Sequence, residues 1–244
     1  MASQTVYLVS GANRGIGFEV VKQLSSRMDV LIFAGARTPD KADALNSLAR
    51  VIGKIEVVKL ESPNEEDAQA VAKVIEEKAG KLDVLIANAG IANYYLPLVD
   101  CKPSYFREMF EVNTLGPLVL FQATHHLLAK FIQPKFLAIS STLGSSETAA
   151  AYAWSAYGTS KAALNHIVAH AHHDHSEITS VAICPGWVST DLGNAGAKAQ
   201  GVPEGPPVKP ADSAAAIVKF TERVSRESHG GKLWRPSEDE QIPF

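Results

Sequence analysis

Apolar, β-branched runs punctuate this chain at intervals long enough to hold a helix between neighbours. They are Val6–Val9, Val30–Ala34, Ile55–Leu60, Val84–Ala87, Phe136–Ser140, Ser180–Cys184 and Lys232–Trp234. Most are continuously apolar rather than alternating, the pattern of strands covered on both faces. Between them the period becomes helical. Ala68, Val71, Ala72 and Ile75 share one face within Glu65–Ala79, and Pro63-Asn64 precedes them as a natural start. Seven such runs alternating with about six helical stretches predict one α/β domain over residues 1–244, with a doubly wound, Rossmann-type fold on a seven-stranded parallel sheet. No repeat or interdomain linker interrupts it. Gly193 to Pro210 is rich in Gly, Ala and Pro and reads as a loop, a candidate lid over substrate. Sheets of this kind bind ligands beyond the carboxyl ends of their strands, so the informative residues are expected just after each strand.

Composition narrows the class. A chain that is 46% hydrophobic and 20% charged has enough apolar residues to bury a core, which excludes a disordered polypeptide. A net charge of −3 offers no global attraction to nucleic acid or anionic lipid. The longest apolar stretches, such as Val30 to Ala36, fall far short of a membrane span. The first strand-like run begins at Val6 and leaves no room for a signal peptide, so a cytoplasmic location is expected. Cys101 and Cys184 lie far apart, form no ligand pattern and fit free thiols in a reducing compartment. The expected partner is a small molecule rather than a nucleic acid or a membrane.

The first strand runs into Ser10-Gly11-Ala12-Asn13-Arg14-Gly15-Ile16-Gly17, a G-x-x-x-G-x-G turn leading to a helix. Glycines there permit a tight turn and let a pyrophosphate approach the backbone, while the helix N-terminus offers free N–H donors. A glycine turn can also be purely structural; its position after the first strand favours the phosphate role. NAD-binding folds commonly place an acid after the second strand, bonded to the ribose 2′-hydroxyl. Here that strand ends Ala34-Gly35-Ala36-Arg37-Thr38, with no acid. Arg37, with Arg14 as a second candidate, could instead pair with a 2′-phosphate, since a guanidinium fork matches phosphate geometry. Asp40 follows Pro39 and reads as a helix-start residue. The expected cofactor is therefore NADP(H).

Further motifs stand in order: Asn88-Ala89-Gly90, Asn113, Ser140-Ser141, Tyr157-x3-Lys161 and Pro185-Gly186. Together with the glycine turn they resemble the short-chain dehydrogenase/reductase family over nearly the whole chain. Val9 to Gly17, Val112 to Pro117 and Pro185 to Asp191 are similar to its carbonyl-reductase-like branch, where fungal ketoreductases resembling norsolorinic acid reductase belong. Tyr157 and Lys161 are four residues apart and share a helix face. A phenol with a pKa near ~10 is a poor proton donor at neutral pH, and a nearby ammonium is expected to lower it. Tyr157 is then the acid in ketone reduction and the base in alcohol oxidation. Ser141 can hydrogen-bond the substrate oxygen. The resemblance implies that Lys161 also bonds the nicotinamide ribose and that Asn113 holds a water for proton relay. It further implies that Asn88, Ala89 and Gly90 pack the cofactor and that Pro185, Gly186, Val188 and Thr190 border the nicotinamide. Asn13 and Ile16 belong to the phosphate turn by the same token.

Some positions depart from the family pattern. Ser10 replaces a threonine. Leu60-Glu61 stands where Leu-Asp is usual beside the adenine. The fifteen residues between Ser141 and Tyr157 exceed the usual spacing, so the choice of Ser141 over Ser140 stays open. Tyr152 has Ala156, not a lysine, four residues on. The resemblance leaves assembly open, homodimers and homotetramers being frequent and monomers known in this branch.

Tyr94, Tyr95, Tyr152, Trp154 and Trp187 all fall near strand ends and, with Leu96 and Leu192, could line an apolar substrate pocket. As a set they point to a bulky or aromatic carbonyl compound. Tyr94, Tyr152, Trp154, Trp187 and Leu192 are the substrate-binding candidates. His166, His170 and His173 share a helix face with His172 and His175 nearby, a spacing able to ligate zinc. With no cysteine pattern or carboxylate set beside them they read as a solvated face, as does His125-His126, and no metal is expected. The sequence thus predicts an NADPH-dependent carbonyl reductase. An alcohol dehydrogenase working oxidatively is one alternative. A non-catalytic NADP-binding regulatory protein is another, though such a protein would be expected to lack the tyrosine or the lysine.

Overall fold

The computed structural model describes residues 4–147 and 154–244. Strands β1 (Thr5–Val9), β2 (Val30–Ala36), β3 (Ile55–Lys59), β4 (Val84–Ala87), β5 (Lys135–Ile139), β6 (Thr179–Ile183) and β7 (Leu233–Arg235) fall within two residues of the apolar runs. They form one sheet in the order β3-β2-β1-β4-β5-β6-β7, all neighbours parallel. The order reverses between β1 and β4, and the cleft at that switch point is where such folds bind ligands.

The sheet has eight strands rather than seven. Strand β8 (Glu240–Ile242) pairs antiparallel with β7, Leu233 opposite Ile242 and Arg235 opposite Glu240. Three residues with two exposed polar side chains carry too little apolar pattern to be read as a strand.

The continuous apolar runs divide cleanly between two cores. Val6, Leu8, Leu85 and Ala87 face one cluster, completed by helices α3 (Glu65–Ala79), α5 (Gly116–Leu128) and α6 (Ser155–Asp174). Tyr7, Val9, Val84 and Ile86 face the other, completed by α1 (Gly15–Ser25), α2 (Asp43–Ile52) and α8 (Pro210–Arg223). Alternate side chains of each strand thus enter opposite cores. Helix α3 spans its predicted length because both ends carry stops: Asn64 accepts a hydrogen bond from the Asp67 N–H at 2.8 Å, and Gly80 ends the helix at φ 72°.

The described residues hold nine α-helices, against about six expected. The connection after β4 carries α4 (Pro103–Phe110) before α5, and that after β6 carries α7 (Asp191–Ala199), α8 and α9 (Arg226–His229). Helix α7 corrects the reading of Gly193 to Pro210 as loop throughout. Thr190 caps it, accepting from the Gly193 N–H at 3.2 Å. Its glycines are there for close packing: a Cβ on Gly193 would come within 2.0 Å of the Val188 carbonyl oxygen, and one on Gly196 within 2.4 Å of the Trp154 ring. Tertiary packing here overrides poor helix propensity.

Candidate active site

The turn after β1 is held open by its backbone. Gly11 and Gly15 adopt φ values of 63° and 57°, which side-chain-bearing residues rarely take. A Cβ on Gly17 would sit 2.4 Å from the Gly11 carbonyl oxygen, so α1 starts pressed against the turn. Asn88 braces it from the switch-point strand, donating from Nδ2 to the Ser10 and Gly11 carbonyls at 3.0 and 3.1 Å. The Ser10 hydroxyl accepts from the Asn88 and Ala89 N–H groups at 2.9 and 3.0 Å, so serine does here what the expected threonine hydroxyl could do. Asn13 and Arg14 are exposed at the tip, and Ile16 is half-buried. Arg14 precedes α1 without capping it, so its side chain satisfies none of the first-turn N–H groups. Its guanidinium instead reaches Asp191 at the start of α7, at 3.0 Å.

Arg37 is exposed immediately after β2. No ion pair engages it among the described residues. Leu60 is buried against Gly35, where a Cβ would come within 2.7 Å of Leu60 Cδ2. Glu61 is exposed, and its N–H is fixed by the Asp67 carboxylate at 3.0 Å. Ser10, Leu60, Glu61 and Ala89 line one connected cavity, so the ends of β1, β3 and β4 open onto a shared space.

Beyond the end of β5 the structure brings Ser141, Tyr157 and Lys161 together, and Gly90 lies between Lys161 and Asn113. Lys161 is 4% exposed. Its ammonium donates to the Ile139 carbonyl at 2.8 Å and lies 5.7 Å from the centre of the Tyr157 ring. Burial lowers the Lys161 pKa to about 7. Burial also raises the Tyr157 phenol above its ordinary value, as does the nearby Cys184, and a hydrogen bond with Ser141 only partly offsets this. The expectation that Lys161 lowers the Tyr157 pKa is therefore corrected for this arrangement. The lysine is itself desolvated and turned to a backbone carbonyl, so desolvation of the phenol dominates.

The neighbouring serines differ sharply. Ser140 is buried, and its hydroxyl donates to Asn165 Oδ1 at 2.6 Å. Ser141 is half-buried, accepts from the Leu143 N–H at 3.2 Å and faces the phenol. Ser141 is set by a short turn, Thr142–Gly144, wedged onto α6, where a Cβ on Gly158 would come within 2.7 Å of the Leu143 carbonyl oxygen. The long spacer between Ser141 and Tyr157 runs partly through residues 148–153, outside the described residues.

Asn113 is fully buried in a single π-helical turn, Glu111–Leu115, between α4 and α5. Its side chain accepts from the Ile91 N–H at 2.8 Å and donates to the Ile91 carbonyl and the Ser160 hydroxyl at 2.9 and 3.0 Å. These contacts occupy the carboxamide, so it ties the segment after Gly90 to α6. π-turns of this kind recur at functional sites.

On the remaining wall, Pro185 and Gly186 turn the chain at φ 84° for the glycine. Val188 is buried and bridges Val208, and Thr190 lies against the glycine turn, 3.2 Å from a Cβ built on Gly15. Of the aromatic candidates, Trp154 is buried and packs edge-on to Tyr157, with ring centres 5.5 Å apart. Its other edge-on neighbour is Tyr95, at 4.7 Å. Tyr94 points elsewhere: at φ 61° it stacks on Tyr105 at 3.6 Å and donates to Glu108 at 2.8 Å. Trp187 is 36% exposed, and Leu192 is half-buried on α7. Tyr152 lies outside the described residues. Gly158, Asn165 and Ser160, which set the reacting groups in place, were missed, because nothing in their spacing marks them.

A family model described as short chain dehydrogenase matches residues 5–201. A short-chain dehydrogenase of Neurospora crassa, srdF, is 33% identical over 253 aligned positions, covering 100% of this chain and 99% of the relative. Norsolorinic acid ketoreductase of Aspergillus parasiticus is 33% identical, covering 99% of this chain and 92% of its own. Among solved structures, the NADPH-bound carbonyl reductase from chicken fatty liver superposes with a TM-score of 0.88 at 27% identity, covering 100% of both chains. The fold and site define an oxidoreductase that uses a nicotinamide cofactor. The chain belongs to the short-chain dehydrogenase/reductase family and is carbonyl-reductase-like.

Proposed function

We propose that the protein is an NADPH-dependent carbonyl reductase acting on an apolar or aromatic ketone or aldehyde. The observation that carries this reading is the buried Lys161 beside Tyr157 and Ser141 at the ends of β5 and β6. The cleft suits a dinucleotide: the N-terminus of α1, without a side-chain cap, follows a glycine turn, and Arg37, in no ion pair among the described residues, stands where the adenosine ribose of a doubly wound fold lies. When bound, the cofactor supplies the hydride.

The chain's own residues do the rest. Ser141 donates a hydrogen bond to the substrate oxygen, and Tyr157 delivers a proton to it. Lys161 holds the ribose and, with a pKa near neutrality, returns a proton to Tyr157. Asn113 fixes the segment behind the lysine and belongs to the same relay. The Val188 backbone and Thr190 orient the carboxamide, Asn88, Ala89 and Gly90 pack the cofactor, and Glu61 accepts from the adenine. Trp154, Trp187 and Leu192 shape an apolar pocket, and residues 193–210 close over it. Tyr95 joins that pocket in place of Tyr94, which is held against α4. The names of the relatives, a ketoreductase and an NADPH-bound carbonyl reductase, support the same substrate and cofactor classes.

The test is kcat/KM on a panel of aromatic and aliphatic ketones with each cofactor. Preference for NADPH by about tenfold to a hundredfold follows from one charge-assisted contact. Equal use of NADH removes Arg37 from the 2′-phosphate; absence of ketone turnover removes the reductase reading.

A further inference from the structure

We propose that His125, His175 and Glu177 form a binding site for a divalent transition metal of the zinc class, remote from the reacting groups. The exposed His166, His170 and His173 of α6 are not the residues involved. His125 sits near the C-terminal end of α5, His175 ends α6, and Glu177 lies two residues before β6. These positions are at the amino ends of the strands. Ser141, Tyr157 and Lys161 belong to the carboxyl ends.

The donor set is two imidazole nitrogens and one carboxylate oxygen, which suits zinc. The three ligand atoms all lie within 4.8 Å of one another. Glu177 Oε1 is 3.6 Å from His175 Nδ1 and 3.9 Å from His125 Nε2. A tetrahedral ion with bonds of about 2.0–2.1 Å would set its donors about 3.3 Å apart, within reach of small rotamer changes. Both imidazoles rest on the buried Phe121, with ring centres 6.0 Å from His125 and 5.4 Å from His175. The His175–Ile178 turn is itself anchored: its first carbonyl accepts from the Ile178 N–H at 3.0 Å and from Arg226 Nη1 at 3.1 Å. Two ligands therefore come from a fixed turn and the third from a packed helix, leaving a fourth position for water. Bound metal would tie α5 to the α6–β6 turn. No bond to substrate is made or broken there.

Calorimetric titration of the full chain with zinc chloride tests this. One saturable site per chain is expected, with cobalt giving a tetrahedral absorption spectrum at the same stoichiometry. His175→Ala and Glu177→Gln should each weaken zinc binding at least tenfold and remove the zinc-dependent rise in Tm, while His170→Ala leaves both unchanged. Ketone turnover should be indifferent to all three substitutions, so failure of this site is separable from failure of the reductase reading. Glu177 is exposed, so its glutamine variant keeps the test open if the alanine variant does not fold. Wild-type affinity in both site variants, loss of binding in His170→Ala, or no saturable binding at all would overturn the proposal.

Discussion

The turn after β1 and the pocket after β5 lie along one cleft and are built in opposite ways. In the turn, charge is exposed and the backbone is constrained: Arg37 is exposed and Arg14 lies in an exposed ion pair with Asp191, while Gly11, Gly15 and Asn88 set the shape. In the pocket, charge is buried and the backbone serves as partner, Lys161 donating to the Ile139 carbonyl. Exposed cations discriminate between ligands and are screened by salt. Buried ones change their own chemistry, which is what proton transfer requires. Cofactor choice should therefore be easy to alter without unfolding the protein, and the reacting groups should be hard to alter without loss of rate or stability.

The sharpest break of that contrast is Tyr157→Phe. General acid catalysis contributes about a hundredfold to ten-thousandfold, so kcat should fall by that order while cofactor affinity stays within about twofold. Near wild-type turnover, measured by NADPH absorbance, would sink the assignment. Ser141→Ala should lower kcat on the order of a hundredfold, the size of a lost oxyanion donor. Ser140→Ala should instead lower thermal stability, because the buried bond to Asn165 is lost, at a cost of about 1–2 kcal/mol. The reverse pattern in kinetics and Tm would exchange the two serines.

At the other end, Arg37→Asp should move the NADPH to NADH ratio of kcat/KM by about tenfold to a hundredfold toward NADH and leave Tm nearly unchanged. The wild-type preference should also shrink as salt is raised. An unchanged ratio would leave Arg37 a surface charge and bring Asp40 forward as the ribose ligand.

Lys161 adds a pH signature. Its folded pKa of about 7 lies below the unfolded value of 10.5, so between these limits the unfolded chain binds more protons. Stability then rises with pH through that window, relative to Lys161→Met. Above about pH 10 the raised Tyr157 pKa acts in the opposite direction, because the unfolded phenol ionises first. Denaturant titrations of both proteins across the window measure the slope; parallel curves would show that Lys161 is not desolvated.

How much of this was legible in the chain depends on whether a local pattern exists. Strands β1 to β7 were legible because most of their runs are continuously apolar and buried on both faces, with β3 and β7 only partly so, and α3 because Asn64 and Gly80 mark its ends. Helix α7 was not, because two of its glycines, Gly193 and Gly196, answer to contact with Val188 and Trp154, residues outside the helix. The roles of Tyr94 and Tyr95 could not be separated, since adjacent residues in an irregular segment carry no period. The i,i+4 spacing placed Tyr157 and Lys161 together, but spacing says nothing of desolvation, and desolvation reversed the expected direction of the phenol's shift. His125 and Glu177 meet only through the packing of α5 on the turn before β6.

Strand β8 covers one edge of the sheet. Without it, Leu233-Trp234-Arg235 would present an open parallel edge, able to recruit a strand from another chain. The chain closes that edge with a short antiparallel hairpin whose rim is charged: Arg235 holds Glu238 and Glu240 at 2.7 and 2.8 Å, and Arg223 holds Asp239 at 2.6 Å. Ser146, in the segment after Ser141, donates to the Phe244 carbonyl at 3.0 Å. These residues thus act as a selvedge: the hairpin covers the free side of β7, and Phe244 ties it to the segment that follows Ser141.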